Sequence, residues 1–249
     1  MSLHPMTLAD YLSTATSEPL GKPVGPASET FLQSDRISSR GSESPTEASA
    51  PPLLHCFHLQ PSISILLAIL EGVEHLHEEG IVHRDLKPGN IFLGTRNSRQ
   101  PAGGTIDLMQ CSDCRAERKA APITLEVRIG DFGLVTFADS EAEMSKKSEG
   151  VGTEMYRPST AATVGTSLDT YALGIIAFEL LWKFDTRMER IHTIQRLKQG
   201  EFPPGFSERI GKHGGDIEEC IRAMLTQDSD GVSVAEIKRV FSTLHTFRS

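Results

Sequence analysis

The chain has 249 residues, is 38% hydrophobic and 23% charged, and carries a formal net charge of −8. That length allows one or two soluble globular domains, and the acidic balance speaks against general binding to nucleic acid or to a membrane surface. Four cysteines are too few for a disulfide framework, so a reducing, cytoplasmic setting is expected, with the nucleus left open.

Met1–Asp10 lacks a basic run ahead of an apolar core and does not read as a secretion signal. Residues 1–12 predict a short helix from about Thr7. Residues 13–60, rich in Ser, Thr, Pro, Gly and Glu, read as a low-complexity insert. Residues 61–249 hold the main domain. In it, Ile65, Leu66, Ile69, Leu70, Val73 and Leu76 recur at helical spacing over Ser62–Glu79, and Gly80 stands where a helix ends. Short strands are predicted at Ile81–Val82 and Ile91–Leu93. A second polar insert covers about 94–122, and Ile123–Ile129 alternates as a strand does. Glu141–Gly152 is polar and predicts a loop. Leu168–Phe184 is apolar nearly all round and predicts a buried central helix, too short and too interrupted by Glu179 and Lys183 to span a bilayer. Three amphipathic helices are predicted near Arg187–Gln199, Asp216–Thr226 and Ser233–Phe247, the last opened by a Ser233-x-x-Glu236 capping box.

The segment that carries chemistry is His83-Arg84-Asp85-Leu86-Lys87-Pro88-Gly89-Asn90. It resembles the catalytic loop of protein kinases, H-R-D-L-x-x-x-N. The resemblance makes Asp85 the base, Lys87 the group that neutralises charge on the transferring phosphoryl, and Asn90 a metal ligand. Asp131-Phe132-Gly133 follows a strand and resembles the D-F-G motif, whose aspartate would be the main Mg²⁺ ligand. ATP and Mg²⁺ are therefore the expected cofactors, with Asn90, Phe92 and Asp131 around the nucleotide and Phe92 in the adenine floor. Gly152-Thr153-Glu154-Met155-Tyr156-Arg157-Pro158 resembles the end of an activation segment, and Thr153 with Lys87 looks like the serine/threonine type. His83, Arg84, Phe132 and Gly133 are implied supports. Arg84 resembles an arginine that grips a loop phosphate, with Ser145, Ser148 and Thr136 as acceptors. Asp169 would hold the catalytic-loop backbone, although a helix-capping role would also explain it.

Phe178-Glu179-Leu180-Leu181, Phe184-Asp185-Thr186-Arg187-Met188-Glu189-Arg190 and Phe202-Pro203-Pro204 look like the kinases of the translation initiation factor 2 alpha subunit. That resemblance implies a folded protein substrate docked near Glu189, Arg190 and Thr193, and a dimer formed through an N-lobe. The protein-kinase resemblance as a whole covers about 1–11 and 61–247, while the likeness to this subfamily rests mainly on the segments just named.

The expected fold is α+β and protein-kinase-like: a mainly helical C-lobe with short strands. The N-lobe is expected to be missing, because Leu3–Leu12 already resembles the hinge and the first C-lobe helix, and no G-x-G-x-x-G loop or strand lysine precedes it. The Ala-Pro-Glu motif is replaced by Arg157-Pro158-Ser159, and Gly231-Val232-Ser233 lacks the arginine that would pair with that glutamate. Three readings stand side by side: an active serine/threonine kinase, a catalytically impaired module that binds a partner, and a piece of a longer kinase. Cys111-Ser112-Asp113-Cys114 has zinc-like spacing but supplies only half a site, with His55, Cys56 and His58 as the nearest complement. His75 and His77, two apart on a helix, do not face one ligand. Trp182 is expected in the core.

Overall fold

A computed structural model describes residues 6–14, 57–95, 105–107, 124–137, 154–159, 165–226 and 231–246. Thr153, Ser145, Ser148, His55, Cys56 and the pair Cys111 and Cys114 lie outside them. The described elements in chain order are β1 (Met6–Thr7), α1 (Leu8–Thr14), α2 (Leu59–Glu78), β2 (Ile81–Val82), β3 (Ile91–Thr95), β4 (Thr105–Asp107), β5 (Thr124–Ile129), β6 (Thr136–Phe137), α3 (Thr166–Leu181), α4 (Arg187–Leu197), α5 (Phe206–Ile210), α6 (Gly214–Met224) and α7 (Val234–Thr246). None of the described helices is long and apolar enough to cross a membrane.

The core forms around α3. Every residue of Asp169–Leu181 is buried, so this helix has no solvent face and must be surrounded. On one side α2 presents Ile65, Leu66, Ile69, Leu70 and Val73, each at most 1% exposed. Fully burying one such side chain is worth about 1.5–3 kcal/mol. Ser62 in the first turn of α2 donates its hydroxyl to the Leu180 carbonyl (2.6 Å), fastening the two helices where both are buried. α2 stops at Gly80, whose φ of +71° suits glycine, and the Gly80 N–H donates to the His77 carbonyl (3.0 Å).

The other side of α3 meets α6, with Gly174 at the crossing; a Cβ there would stand 3.0 Å from Met224 Cβ and 3.1 Å from Leu225 Cδ2. The C-terminal end of α3 opens an aromatic cluster, Phe178 with Trp182, Phe184, Phe202 and Phe206, at centroid distances of 5.2–6.3 Å. Arg209 lies over the Trp182 ring and Arg222 over Phe202 (5.3 and 4.9 Å to the centroids).

The strands form two antiparallel sheets, one ordered β1-β3-β5-β4 and one pairing β2 with β6. Two helices open with a reciprocal cap, Thr7 with Asp10 at α1 and Ser233 with Glu236 at α7. At α4 the Thr186 hydroxyl accepts the Glu189 N–H, while the Glu189 carboxylate accepts the N–H of Asp185, one residue earlier.

Several sequence boundaries move. The insert predicted at 94–122 is not all loop: Gly94–Thr95 continue β3, and Thr105–Asp107 pair with β5 as an edge strand. A three-residue strand gives too short an alternation to stand out among polar neighbours. The insert predicted at 13–60 is trimmed at both ends, since α1 runs to Thr14 and α2 starts at Leu59. The central helix ends at Leu181 rather than Phe184, with Trp182 extended at its C-cap. The five-residue helix α5 was not expected.

Candidate active site

The turn after α2 reverses the chain through β2 and delivers His83, Arg84 and Asp85 to one end of α3. Arg84 sits at φ +68°, a left-handed conformation that is costly for a side chain with a Cβ. Asp169, in the first turn of α3 and fully buried, holds that conformation. Its Oδ2 accepts the His83 N–H and its Oδ1 the Arg84 N–H, both at 2.8 Å. His77 near the end of α2 donates through Nε2 to Oδ2 at 2.9 Å. Three donors on one buried carboxylate replace the water it loses, so the loop is fixed at its root.

Asp85 follows, 8% exposed. Lys87 Nζ lies 2.6 Å from its Oδ2. Asn90 Nδ2 donates to the Asp85 carbonyl (2.8 Å) and to Oδ2 (3.2 Å). With its Nδ2 spent, the Asn90 amide keeps Oδ1 for another ligand. Pro88–Asn90 form a short 3-10 turn that leads directly into β3.

The β3–β5 ladder then brings the second motif across. Ile91 pairs with Ile129, and the Gly130 N–H donates to the Asn90 carbonyl (2.9 Å). The Gly130 carbonyl accepts from His83 Nε2 (3.1 Å), so that nitrogen carries the proton and Nδ1 is left to face the Asp85 N–H at 3.4 Å. Gly130 has to lack a side chain, because a Cβ would stand 2.7 Å from the Phe92 ring. Asp131 adopts φ +63° and is exposed. Behind it, the Phe132 ring tilts against His83 at 5.4 Å. Asp85, Lys87, Asn90 and Asp131 are thus gathered at one end of the domain, with His83 and Asp169 beneath them. Phe92 lies half-buried on β3 next to Gly130. Gly133 belongs to the turn Phe132–Leu134. Thr136 is part of β6.

The three side chains predicted to line a docking face sit on α4, but not alike. Glu189 accepts the Asp185 N–H (2.8 Å), so its carboxylate helps to cap the helix. Thr193 is half-buried. Arg190 turns inward: its Nε lies 2.6 Å from Glu179 Oε1 and its Nη2 donates to the Tyr156 hydroxyl (2.6 Å). That hydroxyl donates in turn to Glu179 Oε2 (2.7 Å), closing a triad around a carboxylate only 2% exposed. Burial pushes the Glu179 carboxyl above its ordinary value, with Arg190 and Tyr156 pulling it part of the way back. Burial and the Glu179 charge hold the Tyr156 hydroxyl well above the usual phenol range. Burial works against the Arg190 charge, yet Glu179 and Tyr156 outweigh it and keep the guanidinium above its ordinary value. Lys198, at the end of α4, donates to the Glu154 carbonyl (3.0 Å) and holds the same stretch from below.

His77, Tyr156 and Glu179 are the residues that sequence reasoning did not assign to the site. For Glu179 a signal existed: a single acid in a helix with no solvent face requires a partner. For His77 none did, since its partner lies 92 residues away.

Comparison with known proteins agrees with this geometry. The sequence profile of the protein kinase domain matches residues 54–202. The chain is 34% identical over 194 residues to eukaryotic translation initiation factor 2-alpha kinase 1 of Schizosaccharomyces pombe, covering 70% of this chain and 27% of the relative. It is 30% identical over 188 residues to kinase 3 of the same name from Bos taurus, covering 70% and 14%. Kinase 2 from Schizosaccharomyces pombe is 29% identical over 173 residues, covering 61% and 26%. The chain thus spans about a quarter or less of each of these relatives. With the catalytic loop, the D-F-G turn and the helix that anchors them all in register, the chain belongs to the protein kinase family.

Proposed function

We propose that this chain supplies the phosphotransfer site of a serine/threonine kinase of the translation initiation factor 2-alpha type, acting in the cytoplasm on the alpha subunit. The observation that carries the reading is the bonded set Asp85, Lys87 and Asn90 set beside Asp131. Phosphoryl transfer asks little covalent work of a protein and depends on positioning and charge. Asp85 orients the substrate hydroxyl and accepts its proton, Lys87 neutralises charge close by, and Phe92 floors the adenine. The donor set fits Mg²⁺: the Asn90 amide oxygen and the exposed Asp131 carboxylate are hard oxygens, and nucleotide phosphates and water complete such a shell. When bound, Mg²⁺ neutralises phosphate charge there. Thr153 adds the serine/threonine preference. The N-terminal end of α4, with Met188 61% exposed and Glu189 and Thr193 beside it, is the place for a folded substrate domain.

A second reading, a partner-binding module with impaired catalysis, draws support from the exposed Phe132 and Phe137, 49% and 70%, beside Asp131. Label transfer from γ-labelled ATP to purified alpha subunit, by the full-length protein, separates the two. The kinase reading expects transfer that Asp85→Asn lowers by roughly 10²–10³-fold, the scale set by loss of one preorganised group. Transfer unchanged in that variant, or absent from the wild type, contradicts it.

A further inference from the structure

The turn Glu154–Tyr156 directly follows Thr153 in the chain and lies against α3, with Tyr156 buried and Met155 half-buried. The ion pair expected to fasten this stretch is absent from the sequence: Arg157-Pro158-Ser159 offers no glutamate, and Gly231-Val232-Ser233 no arginine. Two side chains of α4 take hold of it instead. Arg190, in the first turn of the helix, donates to the Tyr156 hydroxyl (2.6 Å). Lys198, just past the last turn, donates to the Glu154 carbonyl (3.0 Å). They stand more than two helical turns apart, about 12 Å, so the stretch is held from both ends of α4.

Arg190 is already accounted for by the Glu179 carboxylate. Among the described residues, Lys198 makes its side-chain hydrogen bond to the turn. A lysine at a helix C-terminus ordinarily serves the last carbonyls of its own helix. This one reaches a carbonyl 44 residues earlier. Its ammonium is half-buried, and burial holds it below its ordinary value, with the Glu154 charge working the other way. The helix end is built to present it. Ile194 and Leu197 are at most 1% exposed and pin that end in the core. The Gly200 N–H donates to the Leu197 carbonyl (2.8 Å) and the Glu201 N–H to the Arg196 carbonyl (3.0 Å), closing the helix around Lys198. The Glu154 carbonyl also accepts the Arg157 N–H (3.3 Å), so both of its lone pairs are engaged.

Resting on the kinase reading above, we propose that Lys198 is a positioning residue for phosphotransfer: by fixing the Glu154 carbonyl it sets the point from which Thr153, the residue before, is presented to the transfer site. With Arg190 it takes the place of the missing ion pair. Phosphotransfer depends on positioning, and a misplacement of about 1 Å can cost about 10²-fold, so a turn loosened one residue from Thr153 is felt in the rate.

The test is single-turnover transfer from γ-labelled ATP to purified alpha subunit by the full-length protein. Lys198→Met keeps the apolar stem without the donor, and Lys198→Arg restores a charged donor. Arg196→Ala is the control, since it removes a neighbouring exposed cation that pairs with Glu201 instead. Lys198→Met should lower the rate about tenfold, a rise of about 1.4 kcal/mol in the barrier, and leave ATP binding within about twofold of wild type. Lys198→Arg should recover most of the loss, and Arg196→Ala should match wild type. Amide exchange over Glu154–Tyr156, followed by mass spectrometry, should quicken in Lys198→Met and not in the other two. Thermal melts check folding, and Lys198→Gln, too short to reach the carbonyl, stands in if Lys198→Met does not fold. A folded Lys198→Met with wild-type transfer or wild-type exchange overturns the inference. An equal loss in Lys198→Arg or in Arg196→Ala overturns it too, as does a loss explained by weaker ATP binding. No transfer by a folded wild type overturns the kinase reading and this role with it, whereas transfer indifferent to Lys198 overturns this inference alone.

Discussion

Asp169 shows how one side chain can set the geometry of a site it does not enter. It holds two consecutive amides and His77 while wholly buried, and one of those amides belongs to the left-handed Arg84. Replacing it with alanine orphans the buried His83 N–H and the half-buried Arg84 N–H; a buried group left unpaired costs about 1–3 kcal/mol. Urea titration should show Asp169→Ala losing at least one such increment, with phosphotransfer falling further than stability explains because Asp85 is no longer fixed. A variant with native stability and activity would remove Asp169 from its positioning role. Glu179 and Arg190 follow the same logic deeper in the core. Arg190→Ala leaves a buried carboxylate uncompensated, a loss of about 3–5 kcal/mol, whereas replacing both partners with apolar groups of similar size can be neutral. The double variant should therefore melt closer to wild type than the single one; a single variant as stable as wild type would contradict the triad.

At the scale of elements, α3 and its contacts decide whether the site forms. Gly174 lets α6 approach within the reach of a single methyl group. Gly174→Ala should overpack that crossing and destabilise the fold by about 1–3 kcal/mol, read in the same titration. The helix caps give a pH dependence with a definite sign. Hydrogen bonds from the Thr7 backbone and hydroxyl hold Asp10 below its ordinary carboxylate value, and those from Ser233 do the same for Glu236. A carboxylate depressed in the folded state contributes stability that is present above its ordinary value and is lost as pH falls through the lowered one. The difference in stability between wild type and Glu236→Gln should therefore be constant near neutrality and close in acid. A difference that grows on acidification would contradict the cap. Both caps are exposed, so the effect is small and local.

At the scale of the whole molecule, what could be read from the sequence was what is contiguous in it. The catalytic loop is eight adjacent residues, the D-F-G turn is three, and α3 announces its burial by the absence of a polar face. Each is a local pattern with a local cause. The Ser233-x-x-Glu236 cap was legible for the same reason, and its bonds are present. The Thr186-x-x-Glu189 pattern was equally visible but was absorbed into a docking face. Contacts chosen by packing between distant segments were not legible. Tyr156, Glu179 and Arg190 meet across separations of 11 to 34 residues, and no spacing rule selects them. β4 is too short to show a period, and its partner strand decides its state. The two halves of the site, Asp85 to Asn90 and Asp131, are joined by a β-ladder whose register the sequence suggested only by order. The ladder matters because it turns two motifs into one constellation with Asp169 beneath it.

The central claim is that this constellation transfers phosphate, and single-turnover transfer from γ-labelled ATP by the full-length protein tests it most directly, comparing wild type with Asp131→Asn. The expected result is transfer by the wild type and a loss of roughly 10²–10³-fold in the variant, with both proteins folded by thermal melt. Equal transfer by the two, or none by a folded wild type, would contradict the account.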